Sequence, residues 1–475
     1  MNVLFAASEC VPFIKTGGLG DVVGALPKAL QKEGVNVSVV LPKYQDLNPD
    51  FQTRLTYMKY IFVSVGWRNQ YCGIYKLEQS GINYYFLDNE YYFKRAGSYG
   101  YNDDGERFAF FSKAVLAALP HLDDHPDLIH CHDWQTGLIA VLLDAHFRKQ
   151  AFYKDIRTVF TIHNLRYQGV FSKSVLGDLL ELDYSYFHEN GLEFYDNVSY
   201  MKAGLAYSDQ LTTVSRTYAR EIQMPYYGEK LDGFLRWNSG KLHGIVNGID
   251  NELYNPQTDS QVFANYSDPI GKKKNKIALQ EHLRLPVDAD IPMIAMITRL
   301  TGQKGIDLVL RVFHEMMHLG VQFVLLGTGE RSDEDAFRWL AGQYSGSVSA
   351  NIFFDDGLAR KIYAGSDLFL MPSNFEPCGI GQLLAMRYGS LPIVRETGGL
   401  KDTVQSYNEF TDEGNGFSFT NYNAHDMLYT IERAVRLYNH DRSKFTEIAS
   451  RAMELDYGWA QSAKEYIDLY ETLVE

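Results

Sequence analysis

Several protein classes are excluded by what this sequence has little of. Among 475 residues there are four cysteines, Cys10, Cys72, Cys131 and Cys378, too scattered for a disulfide framework. No apolar run approaches the roughly 20 residues needed to span a bilayer. No charged stretch leads into a long apolar one at the first residues, so the expected setting is a reducing cytoplasm and a soluble chain. Positive charge is in deficit: 45 Lys and Arg against 59 Asp and Glu leave a formal net charge of −14. That argues against a general binder of nucleic acid or membrane surfaces, which a polyanion would repel. A small anionic ligand is still allowed, because it responds to a local cluster of cations. No internal repeat of ~20–50 residues is present.

What is there is globular. A 45% apolar and 22% charged composition is that of a folded protein, and the length predicts two to four domains. Residues 2–8 read as a buried parallel strand. The loop Lys15-Thr16-Gly17-Gly18-Leu19-Gly20-Asp21 then opens a helical pattern on Val22, Val23, Leu26, Ala29 and Leu30. Gly34 is its expected C-cap, and Pro27 is expected to kink it. Further strands are predicted at 35–41, 127–131, 157–162 and 210–214, with 44–105 as an aromatic-rich excursion or small hairpin near the sheet edge. A second series has strands at 292–297, 321–326, 349–354, 367–371 and 391–394. Its helices are expected at about 306–319, 358–365 and 379–389.

The segment 247–275 suits a connection, with Lys272-Lys273-Lys274 as a solvated helix start. The expected fold class is α/β: two Rossmann-like doubly wound domains whose strand carboxyl ends meet at a deep interdomain cleft.

The candidate chemistry sits at strand-to-helix junctions. The glycine loop at 15–21 has backbone N–H groups and a helix dipole suited to phosphate. Gly18, Gly20 and Gly24 also spell a loose dinucleotide fingerprint. The distance from the strand and the absence of an acidic residue after Leu41-Pro42-Lys43 count against a dehydrogenase. His130 and His132 share one strand face and raise a metal reading, but no second ligand pair stands at matching spacing. Cleft-lining roles for Asp133 and Trp134, with His130 structural, are the better reading. His163 and Asn164 end another strand. In the second series, Arg299 and Lys304 lie on one loop and could converge on an anion, a fork and a compact charge suited to a diphosphate. Glu376, in Phe375-Glu376-Pro377-Cys378-Gly379, is placed for a cleft, and Gly398 and Gly399 are expected to offer further backbone donors to phosphate.

Seven stretches in this order resemble bacterial glycogen synthases and plant starch synthases, the ADP-glucose-using glycosyltransferases of GT-B fold. They are Lys15 through Asp21, His132 through Gln135, Thr161 through Asn164, Asn247 through Asp250, Arg299 through Gly305, Phe375 through Gly379, and Thr397 through Leu400. The likeness runs over nearly the whole chain. It implies an N-terminal acceptor-side domain at 1–245, a nucleotide-sugar domain at 246–456, and a last helix in 457–475 crossing back to the first domain. It implies retaining transfer of glucose from ADP-glucose to an α-1,4-glucan, with no metal and no cofactor, and it leaves a homo-oligomer open.

By residue, the resemblance implies that Lys15 and Gly18 contact donor phosphates and that Arg299 and Lys304 neutralise the departing ADP. Glu376, Cys378 and Gly379 would sit against glucose, and Phe354 would stack on adenine. Asp21, Tyr92, Asp133, His163 and Asn247 would line the pocket, and Thr397, Gly398 and Gly399 would complete the donor site. Departures from the pattern are Arg216 in place of Pro, Gly381 in place of Thr, and Leu384 where related families keep a second Glu. A UDP-glucose transferase and a catalytically silent glucan-binding protein are the alternatives.

Overall fold

The computed structural model describes residues 1–474. The chain forms two compact units, Met1–Asn247 with the segment from Trp459 onward, and Gly248–Gly458.

In the first unit the strands are β1 (Asn2–Ala6), β2 (Asn36–Pro42), β3 (Thr56–Val65), β4 (Arg68–Gln79), β5 (Ile82–Asp88), β6 (Leu128–His132), β7 (Arg157–Ile162), β8 (Val170–Ser172), β9 (Glu193–Phe194), β10 (Asn197–Ser199), β11 (Gln210–Thr213) and β12 (Leu242–Gly244). Nine of them make one sheet in the order β12-β11-β7-β6-β1-β2-β5-β4-β3, and β8-β10-β9 form a small second sheet. The 44–105 segment, expected as an excursion or small hairpin near the sheet edge, supplies hairpin strands at one edge of the main sheet. β5 pairs in parallel with β2, and β4 and β3 extend the sheet antiparallel. Ser80 and Gly81, at φ 54° and 76°, make the two-residue turn between β4 and β5, a geometry whose twist matches that of the flanking strands.

The helix Gly18–Lys32 runs through Pro27 as one element. Pro27 has no N–H for the Val23 carbonyl, and the Cys10 thiol donates to that oxygen at 3.5 Å instead. Gly34 follows at φ 91°, the left-handed conformation that closes a helix. The helix Ala460–Val474 packs into this unit, burying Tyr466, Leu469 and Tyr470 in the same core as Val23 and Leu26. At about 1.5–3 kcal/mol per fully buried large apolar side chain, those three residues suffice to hold it there.

The second unit contains β13 (Met293–Ile297), β14 (Gln322–Leu326), β15 (Val348–Asn351), β16 (Leu368–Met371), β17 (Leu391–Arg395) and β18 (Phe417–Phe419). They form one sheet in the order β15-β14-β13-β16-β17-β18, all parallel. Numbered along the chain this is 3-2-1-4-5-6, the dinucleotide-fold order, whose direction of winding reverses between the first and fourth strands. β15 is shorter than the predicted 349–354 and leaves Phe353 and Phe354 exposed beyond it. The expected helix 306–319 is two, Ile306–Arg311 and Phe313–Met317, broken where Val312 leaves helical geometry at φ −120°.

Lys272 departs furthest from expectation. It caps the start of the helix Lys273–His282 but is 5% exposed, and its ammonium donates to the Tyr363 and Tyr388 carbonyls at 2.6 and 2.8 Å. Those carbonyls lie at the ends of the helices Asp356–Gly365 and Gly381–Arg387, where partial negative charge favours a cation.

Candidate functional site

In the first unit, winding reverses between β1 and β6, and the loops after both strands carry sequence-predicted residues. Glu9, 4% exposed, organises the first loop. One carboxylate oxygen accepts the N–H groups of Thr16 and Gly17 at 2.6 and 3.0 Å. The other accepts the Thr16 hydroxyl at 2.5 Å and the Tyr99 hydroxyl at 2.7 Å. The loop is therefore pinned from beneath, while Lys15 and Gly18 stay exposed. Lys15 pairs with Asp21 at 2.7 Å. Gly24 has a packing reason: a Cβ there would lie 2.7 Å from the Val11 carbonyl oxygen.

After β6, Asp133 adopts φ 57° and ψ −179°, a strained region that essentially only glycine enters freely. Its carboxylate accepts the His163 N–H at 2.7 Å and that of Asn164, fixing the loop after β7. Burial nevertheless pushes the Asp133 carboxyl up to about 7, against the lowering effect of those two bonds. His163 is pushed down to about 3 by burial, so its imidazole is neutral, and its Nε2 shares one hydrogen with His132 Nδ1 at 2.9 Å. Both ring nitrogens of His130 are engaged, by Tyr470 at 2.7 Å and Thr161 at 2.6 Å. His130 is a core residue and offers no lone pair to a metal.

Asn247 is 6% exposed, and its amide oxygen has no partner among the described residues. Tyr92 belongs to the four-residue helix Glu90–Phe93. It is fully buried, and its hydroxyl donates to Glu106 at 2.6 Å.

Asp133 carries a prediction. A carboxyl whose pKa is raised on folding contributes stability below its unfolded value, near 4, and loses it as pH rises through about 7. Asp133→Asn keeps the acceptor without the charge. Its melting temperature is expected to exceed that of the parent at pH 8 and to match it at pH 4. Equal melts at both values would count against a raised carboxyl.

In the second unit the loops after β13 and β16 flank the reversal. Arg299 is exposed and has no side-chain partner among the described residues. Lys304 is paired with Glu376 at 2.6 Å, both nearly buried, and Ser373 donates to the same carboxylate oxygen at 3.0 Å. Gln303 laces the two loops, donating to the Phe375 carbonyl at 3.2 Å and accepting the Asn374 N–H at 2.8 Å. Gly305, at φ 71°, leaves no room for a Cβ, which would sit 2.1 Å from the Pro372 carbonyl oxygen. Cys378 is buried, Gly379 takes φ 73°, and Phe354 is 80% exposed.

Gly399 departs from its expected role as a phosphate donor. The Gly399 N–H is not held out for phosphate; it donates to the Glu376 and Pro377 carbonyls at 3.2 Å each. A Cβ at Gly398 would lie 1.8 Å from the Glu376 carbonyl oxygen, and one at Gly399 2.2 Å from that of Cys378. The pair lets the loop after β17 press against the backbone that carries Glu376, and Thr397 beside it has no exposed surface. Gly398→Ala, also strained at φ 45°, should cost upwards of ~2 kcal/mol. A thermal melt within a degree of the parent would refute this packing role.

The three departures have local accounts. Leu384 belongs to the core of the second unit. A side chain at Gly381 would crowd Phe369 at 3.1 Å. Arg216 pairs with Glu465 at 3.0 Å. Sequence reasoning missed Glu9 and Tyr99, and gave no individual role to Ser373 and Gln303 in their loops. Only Glu9, an acid just beyond a buried strand, had a local signal.

The family description "Starch synthase catalytic domain" matches residues 2–237, and "Glycosyl transferases group 1" matches residues 280–451. A glycogen synthase of Alkaliphilus metalliredigens is 56% identical over 475 residues, 100% of both chains. The chain belongs to the glycogen synthase family. Another member, from Desulforamulus reducens, is 55% identical over 100% of this chain and 99% of its own. Among solved structures, the catalytic domain of Arabidopsis thaliana starch synthase IV, bound to ADP and acarbose, superposes with a TM-score of 0.93 at 36% identity, covering 100% of this chain and 99% of that one. As a member of the glycogen synthase family the chain is a glycosyltransferase of GT-B fold. No helix among the described residues is long and apolar enough to cross a membrane.

Proposed function

We propose that this glycosyltransferase moves glucose from ADP-glucose to the non-reducing end of an α-1,4-glucan, with retention of the α configuration and release of ADP. The observation that carries the reading is the exposed, unpartnered Arg299 on the same loop as Lys304. Both stand at the winding reversal of a dinucleotide-type sheet, with Lys304 tied to Glu376 at 2.6 Å. Transfer breaks the bond between the anomeric carbon and the β-phosphate oxygen, which leaves with the electron pair. The acceptor hydroxyl attacks from the same face, and its proton passes to the departing phosphate.

Arg299 and Lys304 stabilise the charge developing on that phosphate. Glu376 holds Lys304 in place and, with Cys378 and Gly379, faces the glucose, and Phe354 stacks on adenine. Lys15 and Gly18 take donor phosphate oxygens, and Thr397, Gly398 and Gly399 shape the donor loop. Asp133 and His163, with Asp21 and Asn247, contact the sugars.

The test is ADP release from ADP-glucose, with and without a malto-oligosaccharide primer, beside the same assay with UDP-glucose. Primer-dependent release from ADP-glucose is expected. Equal or better use of UDP-glucose would overturn the donor assignment, and no release from either would leave a glucan-binding protein. Because Arg299 and Lys304 supply positive charge at the leaving group, activity in excess EDTA should equal that without it. Loss of activity restored by Mg²⁺ or Mn²⁺ would refute this.

A further inference from the structure

The second unit has a cavity of about 250 Å³ well apart from the loops just described. Asp290, Asp367 and Gly389 on its wall lie one to three residues before β13, β16 and β17. It therefore opens at the amino ends of the parallel strands, whereas the loops bearing Arg299 and Glu376 leave their carboxyl ends. A strand length of packed core separates the two places.

Its wall is positive. Lys272, Lys273, Lys276 and Arg442 face only Asp290 and Asp367. Lys276 is fully used: its ammonium meets Asp367, the Tyr438 hydroxyl and the Ala289 and Ile291 carbonyls at 2.6–2.9 Å. The other three cations have capacity left. Lys272 donates to two carbonyls, which leaves one of its three hydrogens. Arg442 lies over the Tyr438 ring at 3.3 Å and donates through Nε to the Tyr438 carbonyl and through Nη2 to the Asp290 carbonyl. Arg442 nevertheless keeps an exposed edge at the rim. Lys273 is exposed and has no side-chain partner among the described residues. A buried lysine, which burial pushes down to about 7 and which a bound anion would hold in its charged form, makes the floor, and two exposed cations stand at the rim, one of them a planar fork suited to tetrahedral oxyanions. The ten-residue helix Lys273–His282 begins at the same wall and adds its dipole in the same sense.

We propose that this cavity binds a phosphate-class oxyanion, held by Lys272, Lys273 and Arg442. The ligand is either inorganic phosphate or the phosphate of a small ester whose remainder fills the rest of the space. Such a site answers to the concentration of a free anion and not to the donor.

The test is calorimetric titration of inorganic phosphate into the full chain, with the donor site occupied by saturating ADP. One bound phosphate per chain is expected, with sulfate competing and glucose not. In the Lys273→Gln/Arg442→Gln variant, affinity should fall about tenfold or more, while its melt without phosphate falls by only a few degrees, because Arg442 also stacks on Tyr438 and donates to two carbonyls. Both changes are at exposed side chains, and Lys272 is left alone because its loss would strand two helix-end carbonyls. In the parent, phosphate at 100 times its dissociation constant should raise the melting temperature by roughly 5 °C. A small phosphate ester binding more tightly than phosphate itself would assign the site to the ester. No heat in the presence of ADP, or the same affinity in parent and variant, would overturn the proposal.

Discussion

Lys304→Ala is expected to lower kcat about 10²-fold with a smaller rise in KM. The reasoning is that its ammonium meets the diphosphate mainly as negative charge develops on leaving, so its removal takes away more transition-state than ground-state binding. Losing one preorganised partner of that kind costs ~3 kcal/mol, and a purely ground-state role would raise KM alone. From the sequence, Lys304 reads as a flexible cation in a wet cleft whose loss leaves folding untouched. The structure changes that expectation. Lys304 and Glu376 are 15% and 8% exposed at the side chain and 2.6 Å apart, so Ala leaves a nearly buried carboxylate short of its counter-charge. A loss of about 2 kcal/mol is expected on that ground, or roughly 4–8 °C in melting temperature.

The two effects can be separated. Lys304→Ala combined with Glu376→Gln should recover the melt, because the stranded charge is gone, and should recover none of the kcat. Lys304→Arg should restore turnover only in part, since a planar fork does not replace a compact charge. Steady-state kinetics beside thermal melts of the three variants decide it. Parent-like kcat in Lys304→Ala would remove Lys304 from the leaving-group role.

Glu9→Ala is the second large effect. Four donors converge on this carboxylate, two of them backbone N–H groups of Thr16 and Gly17. Hydrogen bonds to a charged group are worth ~1.5–3 kcal/mol each, and stranded buried donors cost more than their bonds contribute. The variant should lose about 3 kcal/mol or more of stability. Its KM for ADP-glucose should rise tenfold or more, because the loop bearing Lys15 and Gly18 is no longer pinned.

Glu9→Gln is the informative control. Its amide oxygen can keep the two backbone donors, while its NH₂ turns to the Thr16 and Tyr99 hydroxyls, which can rotate to accept. Most of the stability and most of the KM should return. A KM unchanged in Glu9→Ala, with the chain still folded, would separate this loop from donor binding.

How much was legible in the sequence follows from the range of the interactions involved. The parallel strands β1, β2, β6, β7, β11, β13, β14, β16 and β17 were readable because a strand buried on both faces must be a continuous apolar run. The glycine-bearing turns were readable because they punctuate those runs, and the order of seven motifs pointed to the family. The Ser80-Gly81 turn was also in the sequence, a two-residue hairpin signal set in the stretch read as an excursion or small hairpin near the sheet edge. Its strands were obscured because Tyr, Phe and Lys alternate there without a clean apolar face.

Other features had no local signal. Lys272 sits in a run of three lysines that looks solvated, and only the approach of two helix ends at Tyr363 and Tyr388 makes burial tolerable. Gly398 and Gly399 looked like phosphate donors. That the Gly399 N–H is spent within the protein, and that both glycines bring two loops into contact, depends on where β16 and β17 place the carbonyls of Glu376 and Cys378. The partners of Glu9, His132 and Lys304 lie 7 to 90, 31 and 72 residues away in the chain. Hydrophobic period and turn chemistry act over a few residues, so the sequence by itself determined the strands, the turns and the family. Which polar groups meet, and which cations are left to receive an anion, was decided by tertiary packing, because a hydrogen bond or an ion pair depends on distance in space and not along the chain.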